Sequence, residues 1–150
     1  DYVANSLAGW VRALNVPRLN CSGVEANAVT TLRNRHRLEL SYTALSGTQE
    51  FLGAQQSKYV FNYPRHSGIA TWQARLGKDF LARTRVGAME RLGRDPYAVW
   101  DVFAAWQRGR VQPYVQMSHL TNTRYEAFPG LRMPGFGVVG GVSWDSRKSR

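Results

Sequence analysis

What most constrains this chain is a two-residue period of hydrophobicity that returns in segment after segment. Side chains on a strand alternate between two faces, whereas those on a helix realign every three to four positions, so only strands give each of these runs one apolar face. From Arg37, RLELSYTALSG sets Leu38, Leu40, Tyr42 and Ala44 against Glu39, Ser41 and Thr43. From Gly68, GIATWQARL sets Ala70, Trp72, Ala74 and Leu76 against Thr71, Gln73 and Arg75. FLARTRVGAM places Phe80, Ala82, Thr84, Val86 and Ala88 opposite Leu81, Arg83, Arg85 and Met89, which sends two arginines to one face. WDVFAAWQ, VQPYVQMS, FGVVGGVSW and the earlier SGVEANAV alternate in the same way. DPYAVWDVFAAWQ is the one stretch that a helical spacing also accommodates.

The connections alternate too. Short polar turns at Arg33–Arg35, Gly77–Asp79 and Arg108–Arg110 interleave with longer segments near Gln49–Tyr63, Glu90–Pro96 and Asn122–Pro134. Short turns at one end and long loops at the other describe an up-and-down barrel of the outer-membrane kind. Trp72, Trp100, Trp106 and Trp144 fall on the apolar faces near strand ends, where a membrane protein carries its aromatic girdle. Arg83 and Arg85, facing a polar interior, are expected to pair there with carboxylates such as Glu39 or Asp101.

No run approaches the ~20 continuous apolar residues that a membrane helix needs, but barrel strands need only about ten of alternating character. The 20 Lys+Arg against 10 Asp+Glu leave a formal charge of +10, spread singly through apolar segments apart from the terminal Arg147, Lys148 and Arg150. A lone cysteine, Cys21, provides neither a disulfide framework nor a thiolate metal site and reads as a small buried apolar residue. His36, His66 and His119 lie in separate segments without metal-ligand spacing, and no Ser or Cys occupies a nucleophile motif, so neither metal nor enzymatic chemistry is expected.

Three stretches carry a resemblance. LNCSGVEANAV, from Leu19, resembles the N-x-x-G-V-E strand common in barrels of TonB-dependent outer-membrane receptors. QSKYVFNYPRHSGIATW is similar to the long loop and descending strand of the cobalamin-receptor-like branch, where Asn-Tyr-Pro opens the strand. VQPYVQMSHLTNTRYEAFPGLRMPGFGVVGGVSW looks like the closing hairpin of that family, through Leu120, Thr121 and Asn122, the Tyr125–Glu126 pair, and Met133, Pro134 and Gly135. Two features depart from the pattern: Phe136 stands where the family usually has Arg, and Asp145–Arg150 follow Trp144, the aromatic on which such a barrel would end.

The resemblance implies an all-β fold, in which residues 1–144 are C-terminal strands of an antiparallel, up-and-down transmembrane β-barrel and 145–150 a basic tail. The whole would be a barrel of about 22 strands plugged by an N-terminal domain, with seven or eight strands here. It implies a bacterial outer-membrane location and a transport role without catalysis or cofactor. The expected partners are outer-membrane lipid, a small-molecule ligand such as a cobalamin or an iron siderophore, and TonB through a segment upstream of Asp1. Ligand contacts are expected on the long loops, at Tyr59, Asn62, Arg91, Arg94, Asp95 and Tyr97. The alternative from another class is a soluble basic β-protein that binds nucleic acid through interleaved Arg and aromatic residues. Its weakness is that these residues alternate to opposite faces. A third reading is a self-assembling fragment, because open barrel strands leave two unpaired edges.

Overall fold

A computed structural model describes residues 2–4, 11–13, 19–49, 56–57, 63–91, 94–128 and 130–146. Among them every regular element is a strand: β1 (Tyr2–Ala4), β2 (Val11–Ala13), β3 (Leu19–Leu32), β4 (His36–Gln49), β5 (Gln56–Ser57), β6 (Pro64–Leu76), β7 (Phe80–Arg91), β8 (Tyr97–Trp106), β9 (Val111–Ser118), β10 (Glu126–Phe128), β11 (Leu131–Arg132) and β12 (Gly137–Trp144). The protein is all-β. Seven strands form one antiparallel sheet in the order β12-β9-β8-β7-β6-β4-β3, each long strand beside its sequence neighbour. The stretch open to a helical reading is strand β8, because its Trp100, Val102, Ala104 and Trp106 continue the apolar face of β7. β1, β2 and β5 make a small antiparallel sheet, and β10 and β11 a short hairpin.

Turn chemistry sets the register. The β3–β4 hairpin closes on Arg33 and Asn34, both at positive φ, with the Arg35 N–H donating to Leu32 O at 3.1 Å. Such a paired left-handed turn matches the twist of the flanking strands and is usually filled by Asn-Gly. Arg33 holds a conformation that costs an L-residue about 1–2 kcal/mol. The β8–β9 ladder runs only from Val102↔Met117 to Ala105↔Tyr114. Pro113 follows, without an N–H to extend it.

The register lines up whole rows. Thr30, Leu38, Trp72, Thr84, Val102, Met117 and Val138 run across all seven strands on one face. One position along, Thr31, Arg37, Gln73, Arg83, Phe103, Gln116 and Val139 do so on the other. Among the described residues no second layer covers the apolar face: Val24 is 66% exposed, Trp106 45%, Val138 56% and Trp144 65%. Only Ala74 and Ala105 are buried apolar residues among those described. An ordinary soluble sheet covers its apolar face and wets the other, and here the arrangement is inverted. Cys21, expected to be buried, is exposed, because β3 is an edge strand of the open sheet. The sheet is open, with β3 and β12 at its two edges.

The few polar groups on the apolar face satisfy one another. The Trp100 indole N–H donates to Thr84 Oγ1 at 2.7 Å, and the Thr84 hydroxyl donates to Asp101 O at 3.3 Å. Tyr42 Oη lies 2.7 Å from His66 Nδ1, and His36 stacks on Trp72.

Candidate functional site

The polar face is concave and holds two adjoining cavities. The first, about 560 Å³, is walled by Arg37, Glu39, Thr71, Gln73, Arg83, Arg85, Asp101 and Gln116. The second, about 410 Å³, shares Arg85 and Asp101 and rises toward the long-loop end between Ser67, Met89, Tyr97, His119, Tyr125 and Pro134. Arg83 and Arg85 do not pair as expected. Glu39 is taken by Arg37, two residues away on the same strand face, and Asp101 Oδ1 accepts the His119 backbone N–H at 2.9 Å. Arg83 instead lies over the Phe103 ring, 5.4 Å from its centroid. Arg85 has no carboxylate within ion-pair distance among the described residues. Both guanidinium groups therefore face the groove with donors to offer.

Of the three stretches that carry the resemblance, the closing-hairpin residues gather into one knot at the long-loop end. His119 takes positive φ, turning the chain out of β9, and Leu120 N still donates to Trp100 O at 2.8 Å while the Thr121 hydroxyl donates to Ala98 O at 2.7 Å. Asn122, also at positive φ, accepts the Phe136 N–H on Oδ1 at 3.1 Å. That oxygen sits where a Cβ on residue 135 would fall, so the close approach needs Gly135. His119 Nδ1 lies 2.8 Å from Pro134 O. A carbonyl only accepts, so Nδ1 carries a proton, and in the neutral ring Nε2 is then an acceptor. His119 is 5% exposed, and its Nε2 has no hydrogen-bond partner among the described residues. A buried ring nitrogen without a partner, in a cavity that Arg85 and Asp101 also line, marks this as the most chemically distinctive place on the concave face.

A strap formed by residues 125–128 and 130–132 lies at this end. Tyr125 stacks on Tyr97, with ring centroids 4.1 Å apart, and meets the His119 ring edge-on. Arg91 Nη1 donates to Glu126 O at 2.9 Å and Ala127 O at 2.6 Å, and Arg94 pairs with the Glu126 carboxylate at 3.3 Å. The Gly130 N–H donates to that carboxylate at 3.1 Å. Of the expected ligand residues, then, Arg91, Arg94 and Tyr97 come together, but as the seat of the strap. Asp95 is exposed and has no hydrogen bond or ion pair with a described residue, while Tyr59 and Asn62 lie outside the described residues. His119, Arg85, Asp101 and Tyr125 meet at this end without having been expected there. Alternation placed Arg85 and Asp101 on one face, but only the register sets them opposite each other. Among the described residues, no three His, Cys, Asp or Glu side chains approach closely enough to hold a metal ion.

Comparisons with protein-family models, curated proteins and solved structures returned no match for this chain. The fold defines an all-β chain built on a seven-stranded antiparallel sheet with an exposed apolar face and a polar concave one.

Proposed function

We propose that this chain is part of the wall of a transmembrane β-barrel, of the TonB-dependent outer-membrane receptor kind, which takes up a scarce ligand such as a cobalamin or an iron siderophore. The observation that carries the reading is the inverted sheet: the face rich in Val, Leu and Trp is uncovered, and the charged face lines the concavity. Lipid is a solvent in which this inversion is stable, provided that strand N–H and C=O groups are paired within the wall. Antiparallel neighbours, joined by short turns at one end and long segments at the other, satisfy that condition along most of the sheet, with a short β8–β9 ladder and open edges at β3 and β12. In the receptor these two edges pair with further strands and close the ring. The concave cavities face the lumen, where Arg83, Arg85 and the His119 acceptor are available to a ligand or to a plug.

The wall itself moves nothing. Its role is to fix the ring, to hold the long loops, and to present donors and acceptors to what passes. Cell fractionation of the protein as expressed in a Gram-negative host tests the reading. The expected result is recovery in the outer-membrane fraction, extractable by detergent and not by salt or alkali. Recovery as a folded, soluble monomer would contradict it.

A further inference from the structure

The short-turn end of the sheet carries a charge pattern that the wall role leaves unexplained. Arg33 and Arg35 sit in the β3–β4 turn, Lys78 sits in the β6–β7 turn with Arg75 near the end of β6, and Arg108 and Arg110 lie in the β8–β9 connection. Against these six cations the described residues of the same rim include two carboxylates, Asp79 and Asp145. Arg33, Arg35, Lys78 and Arg108 are exposed and form no ion pair with any described residue. Arg33 holds its place at positive φ, where glycine or asparagine would be less strained. At the opposite rim, Arg91 and Arg94 are already engaged by the strap.

The cationic rim borders a row of exposed aromatics. Trp106 ends β8 and packs edge-on against Phe80, which begins β7, and Trp144 ends β12. Tryptophan at the edge of an apolar band marks the depth of lipid headgroups. Guanidinium groups just beyond that depth are placed to take phosphate oxygens, with forked hydrogen bonds that match phosphate geometry.

We infer that the short-turn rim is a docking surface for acidic phospholipid headgroups, held by Arg33, Arg35, Lys78 and Arg108, and that it fixes which leaflet this end of the sheet occupies. The inference rests on the membrane-wall reading above. A polyanion in water, such as nucleic acid, has no use for the uncovered apolar band beside these cations; a charged bilayer matches both. Each cation near an anionic surface strengthens association by roughly fivefold, and salt weakens it.

The test adds the full chain to vesicles of phosphatidylcholine alone and of phosphatidylcholine mixed with phosphatidylglycerol, and reads the bound fraction by flotation at low and high salt. The triple variant Arg33→Asn, Lys78→Gln, Arg108→Gln changes turn residues only, and asparagine suits the positive φ at position 33. The expected result is tighter association of the wild type with the phosphatidylglycerol vesicles, lost at high salt, and reduced by about two orders of magnitude in the variant. On phosphatidylcholine alone the two proteins should be equal. If the wild type enters both vesicles equally, or if the variant keeps the preference, the rim proposal falls and the wall reading stands. If the wild type enters neither vesicle and is retained on duplex DNA as a soluble folded chain, both readings fall.

Discussion

At the scale of single residues, Glu126 shows how the strap is fastened. The Gly130 N–H and the Arg94 guanidinium both favour its carboxylate form, and they hold its pKa below the ordinary 4.5. A lowered folded pKa contributes stability that is present above the ordinary value and lost as pH falls through the lowered one. Hydrogen exchange at the Gly130 amide should therefore show constant protection from neutrality down to the ordinary carboxylate value, and loss of protection below it. Glu126→Gln should expose that amide already at neutral pH. Loss of protection beginning well above the ordinary value would show that another group controls the strap. Part of this detail was legible in the sequence: Tyr125, Glu126, Pro134 and Gly135 stood out as a pattern, but not what they do. Tyr125 stacks on a residue of β8, and Gly135 makes room for Asn122. Contacts between residues this far apart along the chain leave no local periodicity. The same holds for His119, whose left-handed backbone and buried ring have no signature in sequence.

At the scale of strands, alternation located β4, β6, β7, β8, β9 and β12 and assigned their faces, because half-burial with period two is written into residue type. Ion pairing was less legible. Alternation brings Arg85 and Asp101 to one face, but which carboxylate a guanidinium reaches depends on competing donors such as Arg37 and the His119 N–H. In the apolar row of β8, Val102 lies midway between Ala98 and Trp106. Val102→Arg should then reduce the stability of the membrane-inserted state by about 2–4 kcal/mol. Ala104→Arg, one row nearer the Trp106 end, should cost less, and Gln107→Arg, beyond the strand, close to nothing. The measurement is reversible urea unfolding in phospholipid vesicles. A flat profile across the three sites, or its inverse, would refute the assignment of faces and of the band's centre. Gly141, opposite Tyr114, makes a separate point about the inner face of β12: a Cβ there would stand 2.6 Å from the tyrosine hydroxyl, so the glycine gives room to an inward ring.

At the scale of the whole molecule, the proposed membrane role requires that the uncovered apolar face meet hydrocarbon. The sequence implied that inversion through Trp and Val on alternating positions. It could not show the sheet edges, since whether β3 and β12 are edges of a complete object or seams in a larger ring depends on strands that they pair with. With Trp10, which lies outside the described residues, replaced by phenylalanine, the remaining tryptophans provide the most direct test, because Trp72, Trp100, Trp106 and Trp144 all lie on the face in question. With the protein folded in bilayers, their fluorescence should be quenched strongly by lipids brominated along the acyl chains and only weakly by acrylamide in the aqueous phase. Strong acrylamide quenching of the folded protein, with no response to brominated chains, would contradict the account.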